Sequence, residues 1–504
     1  MLVDFRPHTR LRGSRPVDIG ASVVPVLEAL SEGAVDLDKV RLVADWVQYR
    51  ENFRDVVDLR PILHTPAARG PAGPVPVPMG TREDDLEIAV DVRRSATLPL
   101  RELAADRLRR TGGHLALEDW GPGSDSCIWE FNALYWSALE LWEKASGQGY
   151  EQALPGGESD ARNVDAARDL IDELFAVWDR LTAASALPDE LYVVELGVGN
   201  GNQAKVFLDT FRERDREHGG GYYRRLHYLM CDYSQHVLDL ARETVGEHLD
   251  HVSAFALDAV RPLTALGFLQ YKVFLVYVSN VYDNLPTDEV AQLGGRTYCV
   301  ETRAYLPADA ATDIASDLGI EVEDLPRLVH KLLRLGPTLL PEAVPDHVAD
   351  VDSAVDFWRR TWAALRLEER YVPLAGLDTY TLSAPTVRAD TETLLDGELL
   401  GPMLQSGADL RMHVSNGAVT SFVESLRLLH PYGTLVCHDL FVTDVGGYRT
   451  GFRGPGKYDG SVVNWVNGPL LAHVGRRHGF DVRYERFRHR SGGNIVTMTA
   501  QVGD

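Results

Sequence analysis

From residue 190 onward, short apolar runs each close on a polar residue. Residues 192–194 (YVV) lead into Glu195, residues 225–232 (RLHYLMCD) into Asp232, residues 251–258 (HVSAFALD) into Asp258, and residues 271–280 (YKVFLVYVSN) into Ser279 and Asn280. Runs of this length, rich in β-branched and aromatic residues, predict buried strands. A helical pattern opens at Asn202, directly behind the first run. Later, residues 418–429 carry helical spacing, 430–433 (HPYG) break it, and 434–439 (TLVCHD) predict a fifth buried strand. Residues 469–479 predict a helix stopped by Gly479, and residues 480–487 and 494–501 alternate like an antiparallel pair. Strands alternating with helices predict an α/β fold, a doubly wound, Rossmann-like sheet of seven strands.

The pattern is interrupted twice. Residues 1–80 end in a proline-rich stretch, 61–78 (PILHTPAARGPAGPVPVP), which predicts an extended strap. From 84 to 188 the spacing is mainly helical. Residues 127–144 (CIWEFNALYWSALELWEK) carry aromatic and leucine residues on one helix face, and 148–162 predict a polar loop. After Pro286, residues 296–306 (RTYCVETRAYL) alternate like a strand, and helical runs follow at 324–335 and 353–370, where Trp358 and Trp362 share a face and predict core packing. The expected organisation is an N-terminal extension with a mainly helical lead-in or lid (1–188), the first half of the sheet (189–285), a large inserted lobe after strand four that selects the substrate (286–408), and the second half (409–504).

Between the first strand and its helix stands Gly197-Val198-Gly199-Asn200-Gly201. A strand, a glycine turn and a helix bring backbone N–H groups close to a ligand. The dinucleotide fingerprint would need a third glycine at position 202, which is Asn202. An acidic strand end suits S-adenosylmethionine (SAM) better, because its amino-acid end carries an ammonium and it has no pyrophosphate. Asp232 is placed to meet ribose hydroxyls and Asp258 to meet the adenine amino group. The expected cofactor is therefore SAM, held by Glu195, Gly197, Gly199, Gly201, Asp232, Asp258, Ala259 and Ser279.

Methyl transfer from a sulfonium is an in-line displacement, in which positioning alone can supply ~7–11 kcal/mol. The catalytic candidates lie where the strand-end loops converge. Asn280 can orient an acceptor by donating and accepting, Asp283 and His438 can manage a proton, and Asp439 and His413 stand nearby in sequence. His438 and Asp439 are strand neighbours, so only one of them faces a given side.

Composition narrows the class. The chain has 504 residues and a formal net charge of −23, which disfavours a nucleic-acid partner. Basic residues at 476–478 and 483–490 read as a solvated helix end and an exposed strand face. No stretch approaches the ~20 apolar residues of a membrane span, and the N-terminus lacks an apolar signal region, so a cytoplasmic protein is expected. Cys127, Cys231, Cys299 and Cys437 lie far apart with no CxxC pairing, which argues against metal sites, disulfides and radical SAM chemistry.

The glycine turn with its series of strand-end acids resembles the class I SAM-dependent methyltransferases from about residue 191 to the C-terminus. A finer resemblance is to the MidA-like methyltransferases, whose mitochondrial members assist assembly of respiratory complex I. It rests on residues 195–201, on 279–286 (SNVYDNLP), on 418–439 and on 454–467 (GPGKYDGSVVNWVN). The family's Asn-Glu pair is Ser279-Asn280 here, and its Asp-Tyr-Gly after strand five is His438-Asp439-Leu440. The resemblance implies a SAM-dependent methyltransferase, and the large inserted lobe with the departures from the MidA pattern favours N, O or C of a small-molecule or peptide acceptor. The alternatives are a protein methyltransferase, with arginine as acceptor, acting on an assembly partner, and a SAM-binding scaffold without turnover.

Overall fold

In the computed structural model of the protein the described residues are 2–6, 19–33, 35–47, 49, 51–65, 85–95, 98–109, 113–147, 149, 163–382, 396–449, 454–489 and 493–503. The proline-rich strap beyond residue 65 and, apart from Gly149, the polar loop at 148–162 fall outside them. The chain forms two compact units. The first is built from Met1–Leu134, Pro286–Val414 and Asp444–Trp465, the second from Tyr135–Leu285, Ser415–Thr443 and Val466–Asp504.

The second unit carries a seven-stranded sheet. Its strands, labelled within this unit, are β1 (Leu191–Leu196), β2 (Leu226–Asp232), β3 (Val252–Ala256), β4 (Val273–Ser279), β5 (Leu429–Asp439), β6 (Phe480–Arg486) and β7 (Val496–Val502). They lie in the order β6-β7-β5-β4-β1-β2-β3. Strands β1 to β5 are parallel, and β7 runs antiparallel between β5 and β6. The main helices are α1 (Val164–Ala183), α2 (Asn202–His218), α3 (Gln235–Val245), α4 (Asn416–Leu426) and α5 (Gly468–Arg477).

Strand order steps one way from β1 to β3 and the other way from β4 to β5. Right-handed crossovers then place the two sets of connections on opposite faces. The reversal falls at the carboxyl ends of β1 and β4, the place where open α/β sheets take ligands. Trp178, Phe175, Phe207 and Phe211 from α1 and α2 pack on Val193, Tyr228 and Phe274 to form the main core of this unit. One strand boundary departs from expectation. β5 begins at Leu429 rather than Thr434, because Gly433 lets the backbone press against β4: a Cβ there would stand 2.4 Å from the Val273 carbonyl oxygen. The helix expected over 127–144 is two helices, Ile128–Ser137 and Leu139–Ser146, broken at Ala138.

The first unit differs more from the sequence-based expectation. Its large sheet runs Leu2–Arg6, Val40–Asp45, Asp85–Asp91, Val57–Ile62, Arg366–Pro373, Arg296–Pro307, Glu289–Leu293 and Leu410–His413 in spatial order. The N-terminal region thus contributes strands as well as the helices Ile19–Glu32 and Leu100–Arg109, and Glu289–Leu293, Arg296–Pro307 and Arg366–Pro373 from the segment expected as a separate lobe join the same sheet. The helix expected over 353–370 ends at Ala364, and Arg366–Pro373 is a strand.

Buried charge interrupts the apolar pattern of these strands. Arg41 and Arg60 are both register partners of Glu87, and both form ion pairs with it, at 3.3 and 2.9 Å. Glu369, 1 % exposed, takes Arg411 at 2.6 Å, Arg60 at 3.1 Å, and Arg54. Arg411 also pairs with Glu289. Charged side chains that would ordinarily mark a solvent face here meet one another inside. Trp358 and Trp362 are core residues, and Trp362 packs edge-on against Phe53 with ring centroids 5.4 Å apart. No helix among the described residues is long and apolar enough to cross a membrane. The four cysteines are buried free thiols.

Candidate functional site

The site builds up at the carboxyl edge of the second unit's sheet. Register sets Leu196 of β1 beside Val278 of β4 and Cys231 of β2, so the glycine turn, Asp232 and Ser279 emerge together. Gly197, Gly199 and Gly201 have φ of 76°, 55° and 80°, in the left-handed region that glycine enters without steric cost. The N–H groups of Gly197 and Val198 donate to the Cys231 carbonyl at 2.8 and 3.0 Å, and Gly199 N–H donates to Asp232 Oδ2 at 3.1 Å. The turn is therefore tied to the tip of β2.

Gly201 serves packing as well as conformation. A Cβ at this position would lie 2.7 Å from Ala241 Cα, so the glycine lets the start of α2 approach α3. Gly201→Ala is expected to destabilise this unit by about 1–3 kcal/mol, from the positive φ and the contact with α3. A urea unfolding midpoint unchanged from wild type would contradict this account.

Glu195, 2 % exposed, accepts a hydrogen bond from the Tyr228 hydroxyl at 2.7 Å through Oε2. Among the described residues Oε1 has no hydrogen-bond partner. Burial pushes this carboxyl up to about 8; the Tyr228 bond works the other way, and Asp232 adds to the rise. Below that pH such a group ionises readily only when a cation arrives. Asp232 is raised to about 6 by burial, against the N–H bonds from Ser234, Gly199 and Tyr233. Asp258 is exposed and accepts from Val260 N–H at 2.9 Å; Ala259 and Ser279 are half-buried beside these tips.

The loop after β4 is held from β5. Asn280, with φ of 51°, donates its N–H to the His438 carbonyl at 3.0 Å. Asp439 is fully buried; its Oδ2 accepts from Tyr282 N–H at 2.8 Å and Asp283 N–H at 3.3 Å, and its Oδ1 from Leu440 N–H at 2.7 Å. The Asp283 carboxyl is buried, faces Asp439 and accepts from Asn284 Nδ2 at 2.7 Å.

His438 points elsewhere. Its Nδ1 meets Thr497 Oγ1 of β7 at 3.0 Å, and its ring lies edge-on to Tyr277 and Phe487. Burial, with His489 adding, lowers its pKa to about 4, so the ring is neutral at physiological pH. His413 belongs to the first unit and is buried near Tyr448. The structure thus gathers Glu195, the three glycines, Asp232, Ser279 and Asn280 at one edge, and places Asp283 and Asp439 beneath the loop. Tyr228 was missed: a tyrosine inside an apolar strand looks like core, and only the register next to β1 brings its hydroxyl to Glu195. Asp209, Glu247 and His248 group ligand atoms within 4.8 Å of one another, but Lys205 and Arg212 already pair with the two carboxylates.

No protein-family model matches the chain, and no curated protein is similar to it in sequence. Among solved structures, it is similar to a COG1565 superfamily member from Burkholderia thailandensis bound to S-adenosyl-homocysteine, at 13 % identity and a TM-score of 0.42, over 76 % of this chain and 88 % of that one. It is also similar to the DszA carbon methyltransferase, at 12 % identity and a TM-score of 0.33, over 83 % of this chain and 73 % of that one.

Proposed function

We propose that the protein is a SAM-dependent methyltransferase acting on an N, O or C atom of a small-molecule or peptide acceptor. The observation that carries this reading is the left-handed glycine turn at the point where strand order reverses, opening behind a buried Glu195 with one oxygen that has no hydrogen-bond partner among the described residues. A seven-stranded sheet with an antiparallel β7 between β5 and β6 is the arrangement of the class I methyltransferases that the sequence resembles.

The residues fit the group. Glu195 Oε1 would receive the ammonium, the turn N–H groups and Asp232 would hold the amino-acid and ribose portions, and Asp258 with Ala259 would border the adenine. Bound there, SAM supplies an electrophilic methyl group on a sulfonium. The protein's part is to fix the acceptor in line with it. Asn280 is suited to orient that acceptor, since its backbone is pinned to β5 and its amide can donate and accept. His438, neutral and enclosed by aromatic rings, can take up a proton only against its depressed basicity.

Calorimetric titration with SAM, and with NAD as the competing class, tests this reading. Micromolar binding of SAM but not NAD is expected, with loss of binding in Gly199→Arg, whose long side chain would fill the turn. Binding of NAD alone, or SAM affinity unchanged in the variant, would remove the assignment.

A further inference from the structure

The loop between β4 and the Pro286 turn touches the glycine turn directly. A Cβ placed on Gly197 would lie 2.3 Å from Val281 Cγ2, so the Val281 side chain occupies the space beside Gly197. Val281 is in turn fixed by its neighbours: the N–H groups of Tyr282 and Asp283 both end on one oxygen of Asp439. Asp439 and Asp283 are 0 % and 5 % exposed, and their carboxyl groups lie within hydrogen-bonding reach of each other. Among the described residues no cation pairs with either. Two carboxylates in such contact cannot both ionise without strong repulsion, so one proton is held between them. Burial raises both groups, while the backbone N–H donors favour charge on Asp439, which leaves the proton on Asp283. The titratable groups facing the pair are the Cys437 thiol of β5 and the Tyr282 phenol, both pushed up by burial and uncharged; α4 faces the same turn with Ser421 and Ser425.

We propose that Asp439 is a positioning residue for the cofactor, holding the turn at 281–284 so that Val281 braces Gly197, and that this hold depends on a single proton shared with Asp283. The inference rests on the reading of the glycine turn as the SAM site. Above the pH at which the shared proton leaves, repulsion between the two carboxylates loosens the turn and weakens the cofactor site; by linkage, cofactor binding favours the protonated pair.

Asp283→Asn separates this from other titrations. An asparagine amide at 283 donates to Asp439 as the protonated acid does, but has no proton to lose. S-adenosyl-homocysteine is titrated into wild type, Asp283→Asn and Asp439→Asn from about pH 5.5 to about pH 9. The ratio of the wild-type to the Asp283→Asn dissociation constant cancels the contributions of Glu195 and Asp232. That ratio is expected near unity at the acid end and about tenfold at the alkaline end, with Asp439→Asn weaker than wild type throughout. A flat ratio, or Asp439→Asn binding like wild type, overturns the proposal.

Thermal unfolding without ligand distinguishes the two ways of failing. The wild-type pair costs stability as pH rises from the ordinary carboxylate value toward its raised one, so Asp283→Asn should gain on wild type over that range. If this gain appears but wild type does not bind S-adenosyl-homocysteine, the cofactor reading has failed and the shared proton stands. If the gain is absent, the shared proton itself is refuted.

Discussion

Glu195→Gln is expected to lower SAM affinity by about 10- to 100-fold and, at the same time, to stabilise the ligand-free protein above pH 8. The first effect follows from removing a charge-assisted bond to the ligand's ammonium, worth about 1.5–3 kcal/mol. The second follows from the raised pKa. The Glu195 carboxyl titrates at about 8 when folded, against an ordinary glutamate value of 4.5. Between those values the folded state binds a proton that the unfolded state has released, so wild-type stability falls as pH rises through the window. Glutamine carries no such penalty. At about 1.4 kcal/mol per pKa unit the full shift sets an upper bound, and a gain on the order of 2–4 kcal/mol at alkaline pH is expected.

The same group makes SAM binding proton-linked. Below about pH 8 the ligand must displace the Glu195 proton, so affinity should rise with pH, and calorimetry in buffers of different ionisation heat should detect released protons. A variant that binds SAM as tightly as wild type, with no change in alkaline stability, would place the ammonium elsewhere.

The second large effect is expected in the first unit. Glu369 lies among three guanidinium groups, those of Arg54, Arg60 and Arg411. Burial by itself would raise its carboxyl, yet Arg411, then Arg54 and Arg60, hold it well below the usual carboxylate range. Glu369→Ala leaves those cations facing one another out of water, and a loss of about 3–5 kcal/mol is expected. Urea unfolding followed by the fluorescence of the tryptophans in this unit should show the loss, with the second unit's transition unmoved. Replacing Glu369 and Arg411 together by apolar residues of similar volume should cost less than Glu369→Ala alone, since it removes charge from both sides. Equal or greater cost would mean that the network acts mainly through shape.

Much of the second unit was legible in the chain because its information is local. A run such as VFLVYVS is apolar because both its faces are buried, and a glycine at 197, 199 or 201 answers a backbone requirement of its own residue. Glu195, Asp232 and Asn280 follow from standing at strand ends, which the patterns mark directly. What stayed hidden depends on neighbours far away in sequence. Whether His438 or Asp439 faces the loop after β4 is set by the pairing of β5 with β4 and β7. It is this pairing that turns His438 toward Thr497 and gives Asp439 the N–H groups of Tyr282 and Asp283.

The first unit shows the limit most plainly. Arg41, Arg54, Asp58, Arg60, Glu87, Glu289, Glu369 and Arg411 read singly as surface residues, because a charge is stable inside only when its partner is there. Those partners come from different strands, some as far apart in sequence as Arg54 and Glu369. The sequence by itself therefore determined the strand-and-helix alternation, the glycine turn and its acidic escort, since each rests on the conformation or burial of neighbouring residues. Only the tertiary structure decided that residues 286–414 complete a sheet with the N-terminal strands, because that sheet is held by charge pairs and register that no local pattern encodes.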